Sequence, residues 1–131
     1  MVLALAGCSK PSAESTNTPT GASSTPFLDQ TKTVQPGQEW NREVVSRRSG
    51  PIRYRVDTPG AYALSIITDK GYKAIQSGNR AAFSKSDVLL TIDKTGAYEA
   101  TISLEPGSSW FMIMNATDKP VNIHLSCWDA P

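Results

Sequence analysis

The chain has 131 residues, and thirteen basic side chains against twelve acidic ones leave a formal net charge of +1. This near-balance excludes a protein that attracts nucleic acid or an acidic substrate through its overall charge. No apolar stretch approaches the roughly 18 to 20 residues that a membrane-spanning helix needs, which excludes a folded part embedded in a bilayer.

The chain begins MVLALAGCSK, an apolar run that ends at a cysteine. Leu5-Ala6-Gly7-Cys8 resembles the lipobox of bacterial lipoproteins, in which small residues let a signal peptidase reach the bond before the cysteine. The resemblance implies that residues 1–7 are the remnant of a signal peptide, that the Cys8 thiol carries a diacylglycerol, and that the new amino terminus is acylated. A signal peptide also has a basic n-region and an apolar h-region of roughly 7 to 15 residues. Neither is complete here, so we expect the natural start to lie further upstream.

Lipidation of Cys8 would make a membrane the first partner of the chain. Each buried acyl CH₂ contributes about 0.8 kcal/mol, and stable attachment needs more than one chain, a condition that a triacylated cysteine meets. In lipoproteins of this type the residue after the cysteine helps sorting, and Ser9 is compatible with transfer to the outer membrane. The predicted location is therefore the bacterial cell envelope, on the outer membrane facing the periplasm.

The segment after the cysteine is rich in small polar residues. Residues 9–26, SKPSAESTNTPTGASSTP, hold five Ser, four Thr and three Pro and no large apolar residue. Such a composition buries too little apolar surface to offset its ordering entropy. We therefore divide the chain into a signal-peptide remnant at 1–7, a lipidated cysteine with a disordered linker at 8–26, and one folded domain at 27–131.

From Phe27 onward the sequence alternates between apolar and polar residues in short runs separated by Gly, Pro, Asp and Asn. A period of two is typical of half-buried strands. Candidate strands lie near 31–35, 38–47, 51–57, 61–68, 72–76, 87–93, 97–104, 109–115 and 120–128. The pattern predicts an all-β fold, an antiparallel β-sandwich, jelly-roll-like, of about eight or nine short strands. Only KAIQSGNRAAF, residues 73–83, could hold a short helical turn.

Two stretches of the domain echo each other. IRYRVDTPGAYALSIITDKG at 52–71 and VLLTIDKTGAYEATISLEPG at 88–107 each read as a strand, a turn with glycine, and a returning strand led by tyrosine. The same hairpin design is therefore predicted twice, because two hairpins need the same turn chemistry or because the chain is duplicated. A third run, PGSSWFMIMNATDKPVNIHL at 106–125, resembles the last hairpin of bacterial pre-peptidase and GOLD-like modules. That resemblance implies a β-sandwich with a binding or accessory role.

The inventory of catalytic groups is small. His124 is the only histidine, and the alternation of its strand points it away from Cys127, which disfavours a Cys/His nucleophilic pair. Motifs that bind zinc or nucleotides are absent, and the acids in predicted turns lack the spacing of a dedicated calcium loop. We expect no catalysis, no metal and no cofactor, and we expect Cys127 to be a buried, slowly reacting thiol.

Two groups of side chains are candidates for ligand contact. The first is a local basic patch with a single acid, Glu43, in the same stretch, made of Arg42, Arg47, Arg48, Arg53 and Arg55. Arginine pairs well with phosphate or carboxylate, so an anionic lipid or wall polymer could bind there, although such charges also occur on any solvated sheet face.

The second group is aromatic: Trp40, Trp110, Trp128 and Tyr72 could stack against sugar rings. Trp128 is the best candidate because it faces outward on the last strand, whereas Trp110 is expected in the core. The function predicted from sequence is a non-catalytic binding or assembly module of the envelope. The alternatives are a carbohydrate- or peptidoglycan-binding module and an accessory domain of an envelope enzyme complex.

Overall fold

The structure, a computed structural model, describes residues 25–47 and 49–130. The predicted lipidation site Cys8, nearly all of the predicted linker and Arg48 lie outside these residues. Within them the chain forms eight strands, one α-helix and two single turns of 3₁₀-helix. The predicted all-β class is confirmed.

The strands occupy most of the domain. They are β1 (Leu28–Val34), β2 (Glu39–Ser46), β3 (Gly50–Asp57), β4 (Ala61–Thr68), β5 (Val88–Thr95), β6 (Tyr98–Leu104), β7 (Gly107–Asn115) and β8 (Val121–Asp129). The helix α1 (Asp69–Gln76) and the 3₁₀ turns Arg80–Ala82 and Lys85–Asp87 lie in the connection from β4 to β5.

The strands form two antiparallel sheets of four. Sheet A has the order β1-β8-β3-β6 and sheet B the order β2-β7-β4-β5. Facing strands are consecutive in the chain, so the sandwich is a jelly roll, as the sequence predicts. All connections pass from one sheet to the other except that between β4 and β5, which pair within sheet B.

The predicted hairpins are wrong in one respect. Both echoing stretches do form two strands, but β3 and β4 lie in different sheets, as do β5 and β6, and also β7 and β8. Their glycine turns are corners between sheets, and the two corners meet where the Gly96 N–H donates to the Gly60 carbonyl at 3.2 Å. A short turn between two alternating runs therefore does not determine which strands pair.

The strand expected at 72–76 is a helix in the structure. Thr68 caps it, because its hydroxyl accepts a hydrogen bond from the Gly71 N–H at 3.0 Å. Asp69 in the first turn and Lys73 in the last suit the helix dipole. Only Tyr72, Lys73 and Ala74 follow the alternation of a strand, and this pattern is too short to outweigh the capping signal.

The inward faces of both sheets form one core. The predicted inward positions Ile52, Tyr54 and Val56 are all buried, as are the inward positions of β8 from Ile123 to Cys127. Phe111 of sheet B meets Tyr54 of sheet A edge to face, with ring centroids 5.4 Å apart and planes at 82°. Such tilted aromatic contacts bind the two layers together.

The corner from β7 to β8 is fixed by Asn115, which has no exposed surface. Its amide donates to the carbonyls of Val34 and Lys119 at 2.8 and 2.7 Å. Its side-chain oxygen accepts from the Thr117 N–H at 2.8 Å and also from the Thr117 hydroxyl. One buried side chain thus shapes the turn and ties it to the end of β1. Among residues 25–47 and 49–130, no helix has the length and apolarity to cross a bilayer.

Candidate functional site

The structure separates the predicted basic patch. Arg53 and Arg55 lie on β3 and point outward from sheet A, as predicted. Arg47 follows β2, and Arg42 lies within β2, so both belong to the side of sheet B. Arg48 lies outside the described residues. The arginines therefore do not form one surface.

The outer face of sheet A, called face A below, carries the predicted contact residue Trp128. Trp128 is directly opposite Arg53 across the β3–β8 pair. The guanidinium carbon of Arg53 lies 4.2 Å from the centre of the indole ring, a cation–π contact. Trp128 keeps part of its surface exposed. The antiparallel register thus makes the two side chains cross-strand neighbours, with the planar cation over one face of the aromatic ring, and the alternation of each strand predicts the outward direction of both.

Carboxylates neutralise the two arginines of face A. Glu99 on β6 receives Arg53 at 2.9 Å and Arg55 at 3.6 Å, and Asp57 lies 3.5 Å from Arg55. All of these side chains are at least 30% exposed, so each pair contributes less than about 1 kcal/mol to stability. Their effect is on the charge of the surface: each arginine of face A has a carboxylate beside it.

His124 has partners that the sequence did not reveal. Its Nε2 is hydrogen-bonded to Asp29 Oδ1 across the β1–β8 pair, and the Ser126 hydroxyl lies 3.4 Å from the same nitrogen. A Ser-His-Asp relay needs the acid and the hydroxyl on different ring nitrogens. Here both approach Nε2, and the Ser126 hydroxyl also donates to Asp29 at 3.3 Å. The cluster is therefore a hydrogen-bonded part of face A without the geometry of a catalytic triad.

The outer face of sheet B, called face B below, carries the second aromatic pair. Trp110, expected in the core, points outward from β7, and this expectation is wrong. Tyr72 of α1 stacks on its ring with centroids 3.7 Å apart and planes at 7°. The indole N–H donates to Asp69 at 2.9 Å, and Asp69 also pairs with Lys73 at 2.8 Å. The hydrogen bond from Lys73, followed by that from Trp110, lowers the pKa of Asp69.

The buried acid Asp87 binds the residue that caps the start of α1 on face B. Asp87 is only 4% exposed and accepts hydrogen bonds from the Ser84 N–H at 2.9 Å and the Thr68 hydroxyl at 2.8 Å. These bonds lower its pKa, with the Ser84 N–H the largest cause. A side chain at Gly71 would meet Asp87 Cβ at 2.7 Å, so the helix approaches closely only because this residue is glycine. The part of face B around Trp110 is therefore a packing surface covered by the connection from β4 to β5.

The remaining chemical candidates lie in the interior. Trp40 is 5% exposed and belongs to the core, so it is not part of an aromatic platform. Cys127 has no exposed surface, and burial raises the pKa of its thiol to about 12. In the part of the chain that the structure describes, no group of three or more His, Cys, Asp or Glu side chains is arranged to hold a metal.

The comparisons with known proteins bear on the fold. No protein-family model and no curated protein matches the chain. Among solved structures, the Yersinia pseudotuberculosis-derived mitogen is similar, with 14% identity, a TM-score of 0.52, and coverage of 81% of this chain and 88% of that chain. This likeness shows a shared β-sandwich and assigns no ligand.

Two further solved structures are similar at lower scores. One is a de novo designed double-stranded β-helix, with 12% identity, a TM-score of 0.49, and coverage of 77% of this chain and 99% of that one. The other is a carbohydrate-binding module of Cellvibrio mixtus lichenase 5A in complex with cellotriose, with 17% identity, a TM-score of 0.43, and coverage of 82% and 92%.

Proposed function

We propose that the chain is a lipoprotein of the bacterial envelope, anchored through Cys8, whose jelly roll is a non-catalytic binding module that contacts a glycan through face A. The observation that carries the glycan part is Trp128, a partly exposed indole on the outward side of β8 with the Arg53 guanidinium over one face of its ring. Flat rings match the apolar faces of pyranoses, and the neighbouring charged groups can bind sugar hydroxyls.

The charge balance of face A favours a neutral ligand over an anionic one. Each of the two outward arginines of β3 faces a carboxylate, and Asp29 adds a further acid beside His124. A phosphate would have to displace Glu99 from Arg53 or lie close to it, and like charges repel. Sugar hydroxyls, which donate and accept, can use both the carboxylates and the guanidinium groups.

The rival proposal is a protein partner, including the role of accessory domain in an envelope enzyme complex. The free edges β1 and β6 of sheet A present backbone groups that a partner strand could pair with. Glycan contact is preferred because it uses Trp128, a partly exposed aromatic side chain that the β3–β8 register sets beside Arg53.

The test of glycan binding is retention of the purified chain on peptidoglycan sacculi and on insoluble glycans, at low and high salt. We expect retention that survives salt and is lost in Trp128→Ala. Trp110→Phe is the matched control, because it alters a tryptophan on the opposite face, keeps the stacking ring and should keep retention. Retention that Trp128→Ala leaves intact, or that high salt removes, contradicts the proposal and points to a protein or charge-driven contact.

The anchor is tested separately. The gene with its natural upstream sequence is expressed in a bacterial host, and the product in the membrane fraction is weighed intact. We expect the mass of a chain that begins at Cys8 and carries acyl groups, and we expect Cys8→Ala to release the protein from the membrane. A soluble product of unmodified mass contradicts the anchor without affecting the glycan assay.

A further inference from the structure

A cleft of about 550 Å³ lies where the edge strands β1 and β2 of the two sheets meet, and it reaches Glu43 and Val45 at the margin of face B. Phe27 and Leu28, at the start of β1, line one side, and Val45 and Arg47, at the end of β2, line the other. Neither β1 nor β2 has a second strand neighbour, so the cleft lies at the shared open edge of the sandwich. Its volume falls within the range of about 300 to 1,000 Å³ of small-molecule sites.

An inward-facing arginine lies in this cleft. Trp40 and Val44, two residues before and after Arg42 on β2, are buried in the core, so the alternation directs the Arg42 side chain between the sheets. Its Nη1 donates to the Glu43 carbonyl at 2.9 Å. The positive charge is close enough to the buried Cys127 to lower its thiol pKa, against the larger increase due to burial.

The guanidinium of Arg42 is incompletely satisfied. Its Nε is buried without a hydrogen-bond partner, and no carboxylate among the described residues lies within 4.0 Å of it. The neighbouring acid Glu43 receives the Ser108 hydroxyl on face B instead. A partly buried cation without an acidic partner is unfavourable, and a carboxylate bound to the terminal nitrogens of the guanidinium would neutralise its charge, while the buried Nε stays unpaired.

The walls around Arg42 combine apolar and charged side chains, because Glu43 and Asp129 line the cleft together with Phe27, Leu28 and Val45. Phe27 is 43% exposed and Val45 is 55% exposed, and both side chains line the cleft together with Leu28. Large apolar side chains that remain exposed beside a concave surface are typical of ligand contact. A second cation, Arg47, lies at the mouth of the cleft.

We propose that this cleft binds a small organic anion whose carboxylate pairs with Arg42 and whose apolar chain lies against Phe27 and Val45. The charge of Arg42 and the apolar side chains of Phe27 and Val45 select this class together. An inorganic anion would leave these apolar side chains in water, and a neutral hydrocarbon would leave the guanidinium unpaired. The site is independent of the glycan proposal, since it uses none of the side chains of face A.

The probe is octanoate, titrated into the full chain by calorimetry and by nuclear magnetic resonance. We expect saturable binding at one site, with shifts in the amides of β1 and β2, weak binding of acetate, and no binding of octyltrimethylammonium, which has the same chain and the opposite charge. Binding of the cation as strong as that of octanoate, or no saturable binding of octanoate at millimolar concentrations, overturns the proposal.

Variants locate the site. Arg42→Gln should weaken octanoate binding by about tenfold or more, the usual loss for a charge-assisted pair, and Arg42→Lys, which keeps the charge without the fork, should lose less. Arg55→Gln is the matched control, an arginine already paired with carboxylates, and should bind octanoate unchanged. Equal binding by Arg42→Gln and the parent chain overturns the assignment. Each variant's thermal unfolding is recorded beside the titration, so that a lost fold is recognised.

Two acids, Glu43 and Asp129, line the cleft, and removal of Asp129 distinguishes a plain anion from a zwitterion as the ligand. Asp129 lines the same cleft, and removing its negative charge should leave octanoate binding equal or tighter. Weaker binding by Asp129→Asn contradicts the proposal, because it would show that the site needs the acid. Trp128→Ala should leave octanoate binding unchanged even though it abolishes glycan retention, so the failure of one proposal is distinguishable from the failure of the other.

Discussion

Face A and face B are the two outer surfaces of one sandwich, and each carries a tryptophan paired with a planar group. On face A, Trp128 faces Arg53 from the neighbouring strand, and the surrounding side chains form ion pairs with one another. On face B, Trp110 is covered by Tyr72 of a helix that belongs to the same chain. An outward tryptophan can thus hold a connection against the sheet, as Trp110 does, or remain partly exposed beside a charged neighbour, as Trp128 does.

The difference between the faces originates in the connections. The corner from β3 to β4 passes through a few residues, whereas β4 and β5 are joined by the α1 region, residues 69–87. Only this connection is long enough to fold back over a sheet. Thr68, Gly71 and Asp87 then fix its position. The Trp110 end of face B is therefore covered by the chain itself, whereas none of the connections that the structure describes folds over face A.

The largest expected effect on stability comes from Trp110→Ala. The variant loses the Tyr72 stack and the hydrogen bond to Asp69, and we expect the free energy of unfolding to fall by about 3 kcal/mol. Equilibrium urea unfolding measures it. Trp110→Phe keeps a stacking ring without the N–H donor and should lose about 1 kcal/mol. A loss from Trp110→Ala no larger than that from Trp128→Ala would remove the distinction between the faces.

A smaller loss of stability is expected when a side chain is added at Gly71, where α1 packs against Asp87. In Gly71→Ala the added methyl would meet Asp87 Cβ at 2.7 Å and Phe83 at 3.3 Å. We expect about 2 kcal/mol of destabilisation, although alanine favours helix more than glycine does. Ile75→Ala, on the exposed side of α1, is the control and should change stability by less than about 0.5 kcal/mol. Equal values for the two variants would show that α1 does not pack closely on Asp87.

Acid should loosen face B. The pKa values of Asp69 and Asp87 are lowered in the folded chain, so their contribution to stability is present above the unfolded value of about 3.9 and is lost as pH falls through the folded values. The raised pKa of Glu39 acts in the opposite direction. We expect urea midpoints to drop below about pH 4, and the drop to shrink in the Asp69→Asn, Asp87→Asn double variant. An undiminished drop would assign acid sensitivity to other carboxylates.

On face A the expected changes in stability are smaller. Trp128→Ala should cost about 1 kcal/mol, since its ring is partly exposed, and Arg55→Gln should cost less than about 0.5 kcal/mol. Thermal unfolding at low and high salt measures both. A loss of several kcal/mol in Arg55→Gln would mean that the ion pairs of face A support the fold, which would weaken their interpretation as parts of a binding surface.

The buried thiol of Cys127 provides a test of the register of β8, which determines which side chains of that strand lie on face A. Burial raises the pKa of Cys127 to about 12, above the unfolded value of about 8.5, so the thiol stabilises the fold below the unfolded value and this contribution is lost as pH rises beyond it. We expect labelling of Cys127 by a thiol reagent to be slow in the folded chain and to accelerate with urea. Fast labelling of folded protein would mean that β8 is shifted by one residue, which would also turn Trp128 inward.

The sequence predicted the strands and their faces better than their partners. Alternation over 52–56 and 121–128 identified which side chains are buried, because burial of one face is a local property of each strand. Pairing is not local: β3 pairs with β6 and β8, and nothing in the Gly60 corner distinguishes it from a hairpin turn. The topology therefore had to come from the structure.

The site followed the same division. The outward placement of Trp128, Arg53 and Arg55 was predicted because it follows from alternation, whereas Glu99 and Asp29 were missed because they belong to strands distant in sequence. Trp110 was misplaced because WFMIMN is apolar on both faces, a pattern that also fits a strand covered on its outer side by a helix. The cap at Thr68, three residues before Gly71, was the available signal for that helix.

The arrangement of strands also constrains how the protein can fold as it is made. The edge strand β1 pairs only with β8, and Asp29 contacts Ser126, 97 residues further along the chain. Because nearly all pairs join distant segments, folding is expected to be slow, in the range of milliseconds to seconds. Until β8 is available, β1 and β3 lack the strand that joins them in sheet A. If the chain crosses a membrane from its amino terminus, it would therefore stay unfolded until nearly all of it had crossed. An unfolded chain is the form that a membrane channel can pass and that chaperones bind.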